Sequence, residues 1–213
     1  MTLPEPVDIG QKPGLRERNK QDKAARIRAA ALELFETKGF EATTTREIAE
    51  RAEVGIGTLF IYAQDKRDIV FLIFNDVLEK MVDTAFASVD HRQLLSTQAH
   101  KIFSCFYATL HQRVALSRIL LKELVFYSAG TQAARFVENR RDILDRLEEL
   151  ARNAQASKKL RPDADPRQVG NAMFFLYSGE VRMWLAQDSP DLRAGIASLK
   201  KTFALLGRGL GEP

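Results

Sequence analysis

The chain has 213 residues, 45% apolar and 28% charged, which gives enough material for one large domain or two modest ones and excludes a disulfide-stapled mini-protein. Cys105 is the only cysteine, so no intramolecular disulfide can close, and a small buried thiol in a reducing cytoplasm is the expectation. The formal charge of +4 and pI near 9.2 invite a nucleic-acid partner without saying where it would bind.

The opening MTLPEPVDIG lacks the basic start and apolar core of a secretory signal, and no apolar run approaches the roughly 20 residues of a membrane span. No membrane partner and a cytoplasmic location are therefore expected. The 12 Gly and 7 Pro sit at punctuation points, and neither period-2 alternation nor bounded runs of Val, Ile and Thr offer a sheet. The chain reads as all-α.

Residues 1–15 carry three prolines and are expected to be a disordered, Pro-bearing tail. In the first helix Ile27, Ala31, Leu34 and Phe35 recur at helical spacing, and Gly39 stands where a left-handed C-terminal cap would put a residue without Cβ. A second helix opens at Thr44, with Glu47 three residues on as its capping-box partner. Glu53, Val54 and Gly55 make a tight turn, and a short helical segment follows around Thr58 to Tyr62. Asp65 caps a fourth helix, with Asp68 in its first turn and Ile69, Leu72, Ile73, Val77 and Met81 at helical spacing; it is long enough to join two domains. Later helices are read at about 91–112, 114–128 and 131–156. Asp165-Pro166 and Ser189-Pro190 then launch helices near 167–186 and 191–207.

A supporting helix followed by two short helices around a Gly-containing turn is a helix-turn-helix arrangement, whose second short helix enters the major groove. Pattern alone leaves open an ordinary helical bundle, but the residue types favour DNA. Thr43, Thr44 and Thr45 set hydroxyls and free backbone N–H groups at a helix start, and Arg46 adds charge beside them. Tyr62 and Lys66 bracket the end of the short helix with a hydroxyl donor and a point charge.

The stretch AALELFETKGFEATTTREIAERAEVGIGTLFIYAQDKRDIV resembles the DNA-binding region of the tetracycline-repressor (TetR-like) family of bacterial transcriptional regulators, over residues 26–73. The resemblance implies phosphate contacts from Thr44, Thr45, Tyr62 and Lys66, joined by Arg46. It also implies that Gly55, Ile56, Gly57, Thr58 and Ile61 lie nearest the base edges. Only Thr58 among these offers a side-chain hydrogen bond, so direct reading would lean on backbone approach and on Ile against thymine methyls. Phe60 and Ala63 depart from the aromatic pattern usual in that family.

The family's C-terminal domain binds a small effector and dimerises, and the resemblance implies the same division here. A helix-turn-helix domain is expected over 16–64, a connecting helix over 65–87, and a ligand-binding and dimerisation domain over 88–213. His100, Phe103, Ser104, Tyr107 and His111 share one face of a helix. With Phe126, Tyr127, Phe174 and Tyr177 they are candidates for an effector pocket, against the plainer reading of a core helix. Met173, Val181, Trp184, Ile196, Leu199 and Phe203 are candidates for a two-fold interface between the last two helices.

His91, His100 and His111 form no His-x-x-x-His pair, Gly55-Ile-Gly57 follows a helix and lacks the lysine of a phosphate loop, and no nucleophile has an evident base. No metal, no cofactor and no enzymatic activity are expected. The leading reading is a homodimeric repressor that binds a palindromic double-stranded DNA operator and is released by a small, largely apolar effector. A helical dimer that binds a small molecule or partner, its DNA binding weakened or lost, is the alternative that Phe60 and Ala63 favour.

Charge location sharpens this. Residues 40–80 hold five bases against eight acids, whereas residues 11–28 hold seven bases against two. The favourable field for DNA lies on a basic arm that includes Arg16, Arg18, Lys20 and Lys23.

Overall fold

A computed structural model describes residues 14–210, and among these the chain forms nine α-helices and no strand. They are α1 (Leu15–Thr37), α2 (Thr45–Arg51), α3 (Ile56–Tyr62), α4 (Lys66–Ala87), α5 (Leu95–His111), α6 (Val114–Glu123), α7 (Ala133–Ala156), α8 (Pro166–Leu185) and α9 (Leu192–Gly209). A single 3₁₀ turn, Leu124–Phe126, continues α6. No helix of the described residues is long and apolar enough to cross a membrane.

Helix starts follow the local chemistry. The Thr44 hydroxyl accepts from the Glu47 amide at 3.2 Å while the Glu47 carboxylate accepts from the Thr44 amide at 2.9 Å, completing the capping box. Asp65 accepts from the Asp68 amide at 2.7 Å, and Asp165 from the Arg167 amide at 2.9 Å with Pro166 opening α8. Gly39 has φ +90°, the left-handed residue just past α1.

Several boundaries differ from the sequence expectation. The α1 helix already begins at Leu15, and the rest of the expected tail, residues 1–13, lies outside the described residues. The α5 helix starts at Leu95 rather than 91 because residues 90–93 form a turn, in which the Asp90 carboxylate accepts from the Arg92 amide at 3.0 Å. The α6 helix ends at Glu123 rather than 128. The cap of α9 is Asp191, which accepts from the Ala194 amide at 2.7 Å, not Ser189; proline in the following position was the misleading signal.

The α1–α3 helices pack around Ile27, Ala31, Phe35, Ile48 and Leu59, all buried. The α4 helix is the spine: Ile69 through Phe74 are buried on every side, as a helix through the middle of a protein must be. Behind it, α7 pairs with α8 and α5 with α9 in the most extensive helix contacts. Two glycines let these pairs approach. A Cβ on Gly170 of α8 would stand 3.0 Å from the Glu148 backbone nitrogen of α7, and one on Gly195 of α9 would stand 2.9 Å from the Tyr107 ring of α5.

Candidate nucleic-acid interface and ligand cavity

The α2–α3 unit is held tightly to α1 on its inner side. Glu47 also receives the Lys38 ammonium, which together with the Thr44 bonds draws its carboxyl down to about 2. Arg26 donates to the Ala52 carbonyl at 3.1 Å, and Arg51 pairs with Glu33 at 2.8 Å. The outer side is bare. Gly55, Ile56, Gly57, Phe60 and Ile61 are exposed, with Ile61 at 67% and Phe60 at 47%, and Thr58 is half-buried between them. Large apolar side chains standing in water on a seven-residue helix gain nothing for the fold, so a surface made for contact is the physical reading.

The expected phosphate contacts fall into two groups. Thr44, Thr45 and Arg46 lie at the outer edge of α2, with Arg46 and Thr44 exposed; the Thr44 hydroxyl is occupied by the capping box. Tyr62 and Lys66 are engaged by the chain itself. The Tyr62 ring is buried, burial raises its hydroxyl pKa with Glu17 adding to the effect, and that hydroxyl donates to the Lys20 carbonyl at 3.1 Å. The Lys66 ammonium donates to the carbonyls of Phe40 at 2.6 Å and Glu41 at 3.0 Å and lies over the Phe40 ring. The single Tyr62 O–H is thereby committed and ties α1 to the end of α3, whereas Lys66 fixes the loop before α2 and keeps one N–H beyond its two carbonyl bonds. Ala63 is wholly buried. In the basic arm, Arg16, Arg18, Lys20 and Lys23 occupy the exposed first turns of α1.

A cavity of about 230 Å³ opens on the other side of α4. Leu78 and Met81 of α4, Phe106 and Leu110 of α5, Leu120 and Leu121 of α6, Phe136 and Ile143 of α7, and Phe174 and Val181 of α8 supply its apolar wall. Asn139, Ser178, Arg140 and Arg182 are its polar members. Of the nine residues expected to form a pocket, only Phe174 and Tyr177 line it.

The others have different work. His100 faces α9, where its Nε2 lies 3.3 Å from the Ile196 carbonyl and from the Ser104 hydroxyl, and burial lowers its pKa. Phe103 stacks on Tyr177 at 4.3 Å and on Phe203 at 5.6 Å. Tyr107 stacks on Trp184 at 4.6 Å, with His111 at the edge of the same indole. Phe126 is 85% exposed. The aromatic face of α5 is therefore core, the plainer of the two readings.

Tyr127 belongs to a buried polar cluster. The Asp68 carboxylate accepts from the Tyr127 hydroxyl and from the amides of Gln64 at 2.8 Å, Thr131 at 2.8 Å and Gln132 at 3.0 Å. Gln132 in turn donates to the Tyr62 carbonyl at 2.9 Å. Asp68, 1% exposed, is thus fully satisfied. Burial and the Asp68 bond push the Tyr127 hydroxyl far up. The residue ties the end of α3 and the start of α4 to the loop before α7. Sequence alone places Asp68 only in a first helical turn, since partners about sixty residues away leave no local trace.

The expected interface also needs correction. Met173, Val181, Trp184, Leu199 and Phe203 are each no more than 3% exposed within the single chain, so no partner copy can reach them; Ile196 is half-buried. The exposed apolar residues of α8 and α9 are Phe175, Met183 and Leu205. Arg140 and Arg182 were missed as cavity residues. The signal was present for Arg140, which stands four residues after Phe136 and three before Ile143, on the apolar stripe of α7.

The family model for bacterial regulatory proteins of the tetR family matches residues 27–73, the span from the middle of α1 through α2 and α3 into α4. Residues 27–73 are therefore a tetR-family DNA-binding region. The chain is 24% identical over 188 residues to the uncharacterised HTH-type regulator YhgD of Bacillus subtilis, covering 87% of this chain and 96% of that one. In fold it is similar to the fatty acid degradation regulator FadR of Bacillus halodurans, with a TM-score of 0.66 and 21% identity over 95% of this chain and 100% of that one. It is also similar to Thermus thermophilus FadR, a TetR-family transcriptional repressor solved with lauroyl-CoA, with a TM-score of 0.65 and 22% identity over 85% and 93%. The helix-turn-helix head of this regulator is thus a DNA-binding unit.

Proposed function

We propose that this regulator is a homodimeric repressor that binds a palindromic operator and is released by a small, largely apolar effector held in the cavity behind α4. The exposed outer side of α3 carries this reading: Gly55, Ile56, Gly57 and Ile61 would meet base edges and thymine methyls, with Thr58 as the one hydrogen-bonding side chain. Thr44, Thr45 and Arg46 would lie on the backbone phosphates. Lys66 would reach a phosphate with the N–H left over from its two carbonyl bonds, and Tyr62 would act through α1, whose position its hydroxyl fixes. Two heads must stand about 34–36 Å apart to meet successive major-groove faces, which calls for a partner copy. Phe175, Met183 and Leu205 on α8 and α9 suit that contact.

The effector half of the reading rests on the apolar cavity and fits the lauroyl-CoA held by the Thermus thermophilus neighbour. By linkage, an effector that releases DNA must bind the DNA-incompetent state more tightly, typically by about 1–3 kcal/mol.

Selection of genomic fragments bound by the purified protein, followed by salt-titrated affinity on the enriched sequence, tests the proposal. A recovered palindrome bound much more tightly than random DNA is expected, and Ile61→Asp should remove the preference. Flat, micromolar binding with no enriched palindrome would instead favour the reading in which DNA binding has been lost.

A further inference from the structure

Past its first turn α4 buries one polar side chain, Asn75, which is wholly inaccessible and follows the apolar run Ile69 to Phe74. A leucine of the same branching would serve the core as well, since a buried amide recovers in hydrogen bonds only what it loses in water. Its partners lead out of the core in two directions. The Asn75 amide nitrogen donates to the side-chain oxygen of Gln132 and to the Gln132 carbonyl, both at 3.3 Å. The Asn75 side-chain oxygen accepts from the Asn139 amide at 3.4 Å. Gln132, at the N-cap of α7, and Asn139 stand seven residues apart on one side of that helix, and Asn75 bonds to both.

One end of this string is the cavity, which Asn139 lines. At the other end the Gln132 amide nitrogen donates to the Tyr62 carbonyl at 2.9 Å. Tyr62 is the last residue of α3, where no further turn of helix supplies a donor. Three primary amides thus run head to tail from the cavity wall to the end of the helix that would meet DNA. Their sense is fixed at Tyr62: a carbonyl can only accept, so Gln132 turns its nitrogen there and its oxygen to Asn75, which turns its own oxygen to Asn139.

We propose that Asn139, Asn75 and Gln132 are positioning residues that report the state of the cavity to the end of α3. The bonds lengthen toward the cavity, from 2.9 Å at Tyr62 through 3.3 Å to 3.4 Å at Asn139, so the cavity end yields first. A ligand that engages or displaces the Asn139 amide leaves the Asn75 oxygen in the core without that donor. Relief requires Asn75 to turn or α7 to shift, and either movement loosens the Gln132 bond to Tyr62. Adjacent bonds in such a string also polarise one another, so loss of the first weakens the rest. This relay deepens the effector reading above and rests on it for what occupies the cavity.

Hydrogen–deuterium exchange of the full chain, without DNA or effector, tests the relay at the backbone amides of residues 56–64, with those of α5 as the internal reference for overall stability. Asn139→Leu breaks the string at the cavity and should speed exchange over 56–64 about threefold or more relative to α5, the effect of one modest hydrogen bond. The same substitution should change nothing there once the string is already cut, in Asn75→Leu or in Gln132→Leu; two backgrounds keep the comparison available where one does not fold. Ser178→Ala changes a cavity residue outside the string, whose hydroxyl donates to the Phe174 carbonyl at 2.8 Å, and should leave 56–64 at the wild-type rate. Unchanged exchange in Asn139→Leu overturns the proposal. So does an equal effect of Ser178→Ala, or a full effect of Asn139→Leu in either cut background, which would assign the coupling to packing around Phe136. Failure here leaves the repressor reading in place, whereas a protein that enriches no palindrome loses that reading and keeps the exchange result.

Discussion

Glu47 makes the chemistry of a helix start measurable. Its carboxylate accepts from the Thr44 amide and receives the Lys38 ammonium, and its pKa falls from 4.5 to about 2. A carboxyl whose folded value is depressed contributes stability that is fully present above the unfolded value and is lost as pH falls through the folded one. Glu47→Gln keeps a capping side chain but removes the charge. It should lower the urea midpoint at pH 7, and the gap from wild type should hold down to about pH 4.5 and narrow toward pH 2. A gap that stays constant across that window would assign the loss to packing instead. Thr44 and Glu47 were legible in the sequence because they stand three residues apart, the fixed offset of a capping box. Lys38 was not, since it comes from the end of another helix and only the fold brings it near. Tyr62 was legible as a polar group at the right end of α3, but not as a donor already committed to Lys20.

At the scale of elements, two glycines separate what holds the fold from what meets a ligand. Gly130, in the loop between α6 and α7, has φ +135°, and a Cβ there would stand 2.8 Å from the Asp68 carboxylate and 3.0 Å from the Tyr127 hydroxyl. Gly130→Ala combines backbone strain with a disrupted buried cluster and should cost about 2–4 kcal/mol. In a chain of this size that is roughly 5–15 °C in melting temperature. Gly57, on the outer side of α3, is open: a Cβ added there would meet nothing within 4 Å. Gly57→Ala should therefore leave the melting temperature equal or slightly raised, because alanine favours the helix, while weakening operator binding through a methyl group set against the groove. A loss of stability from Gly57→Ala, or none from Gly130→Ala, would reverse these assignments. The helices themselves were readable from periodicity and caps. The cavity was not, because five helices each give it two or more residues and no one of them shows a distinctive face.

Across the whole molecule, the cavity and the DNA-binding head are joined by packed groups. Phe136 in the cavity wall lies 4.8 Å from the Phe71 ring of α4 and 5.8 Å from Tyr127, which bonds Asp68. Asp68 holds Gln64, just past α3, and Gln132, whose side chain reaches Tyr62. A ligand that displaces Phe136 therefore acts on the residues that set the angle of α3, and α4 need not move as a free lever. The charge distribution has the same long-range character. The helix-turn-helix stretch is acidic on balance, and the opposing field sits on the exposed first turns of α1, which the bond from Tyr62 to the Lys20 carbonyl holds beside α3. Deleting those turns would remove that anchor along with the charge, so substitution is the cleaner experiment. Changing Arg16, Arg18, Lys20 and Lys23 to Gln should weaken operator binding at low salt and shallow the plot of log affinity against log salt by about 0.9 for each phosphate no longer neutralised. The preferred sequence should not change, because phosphate contacts set position and base contacts set choice. An unchanged slope would put the arm off the duplex. A changed sequence preference would mean that the arm reads a groove.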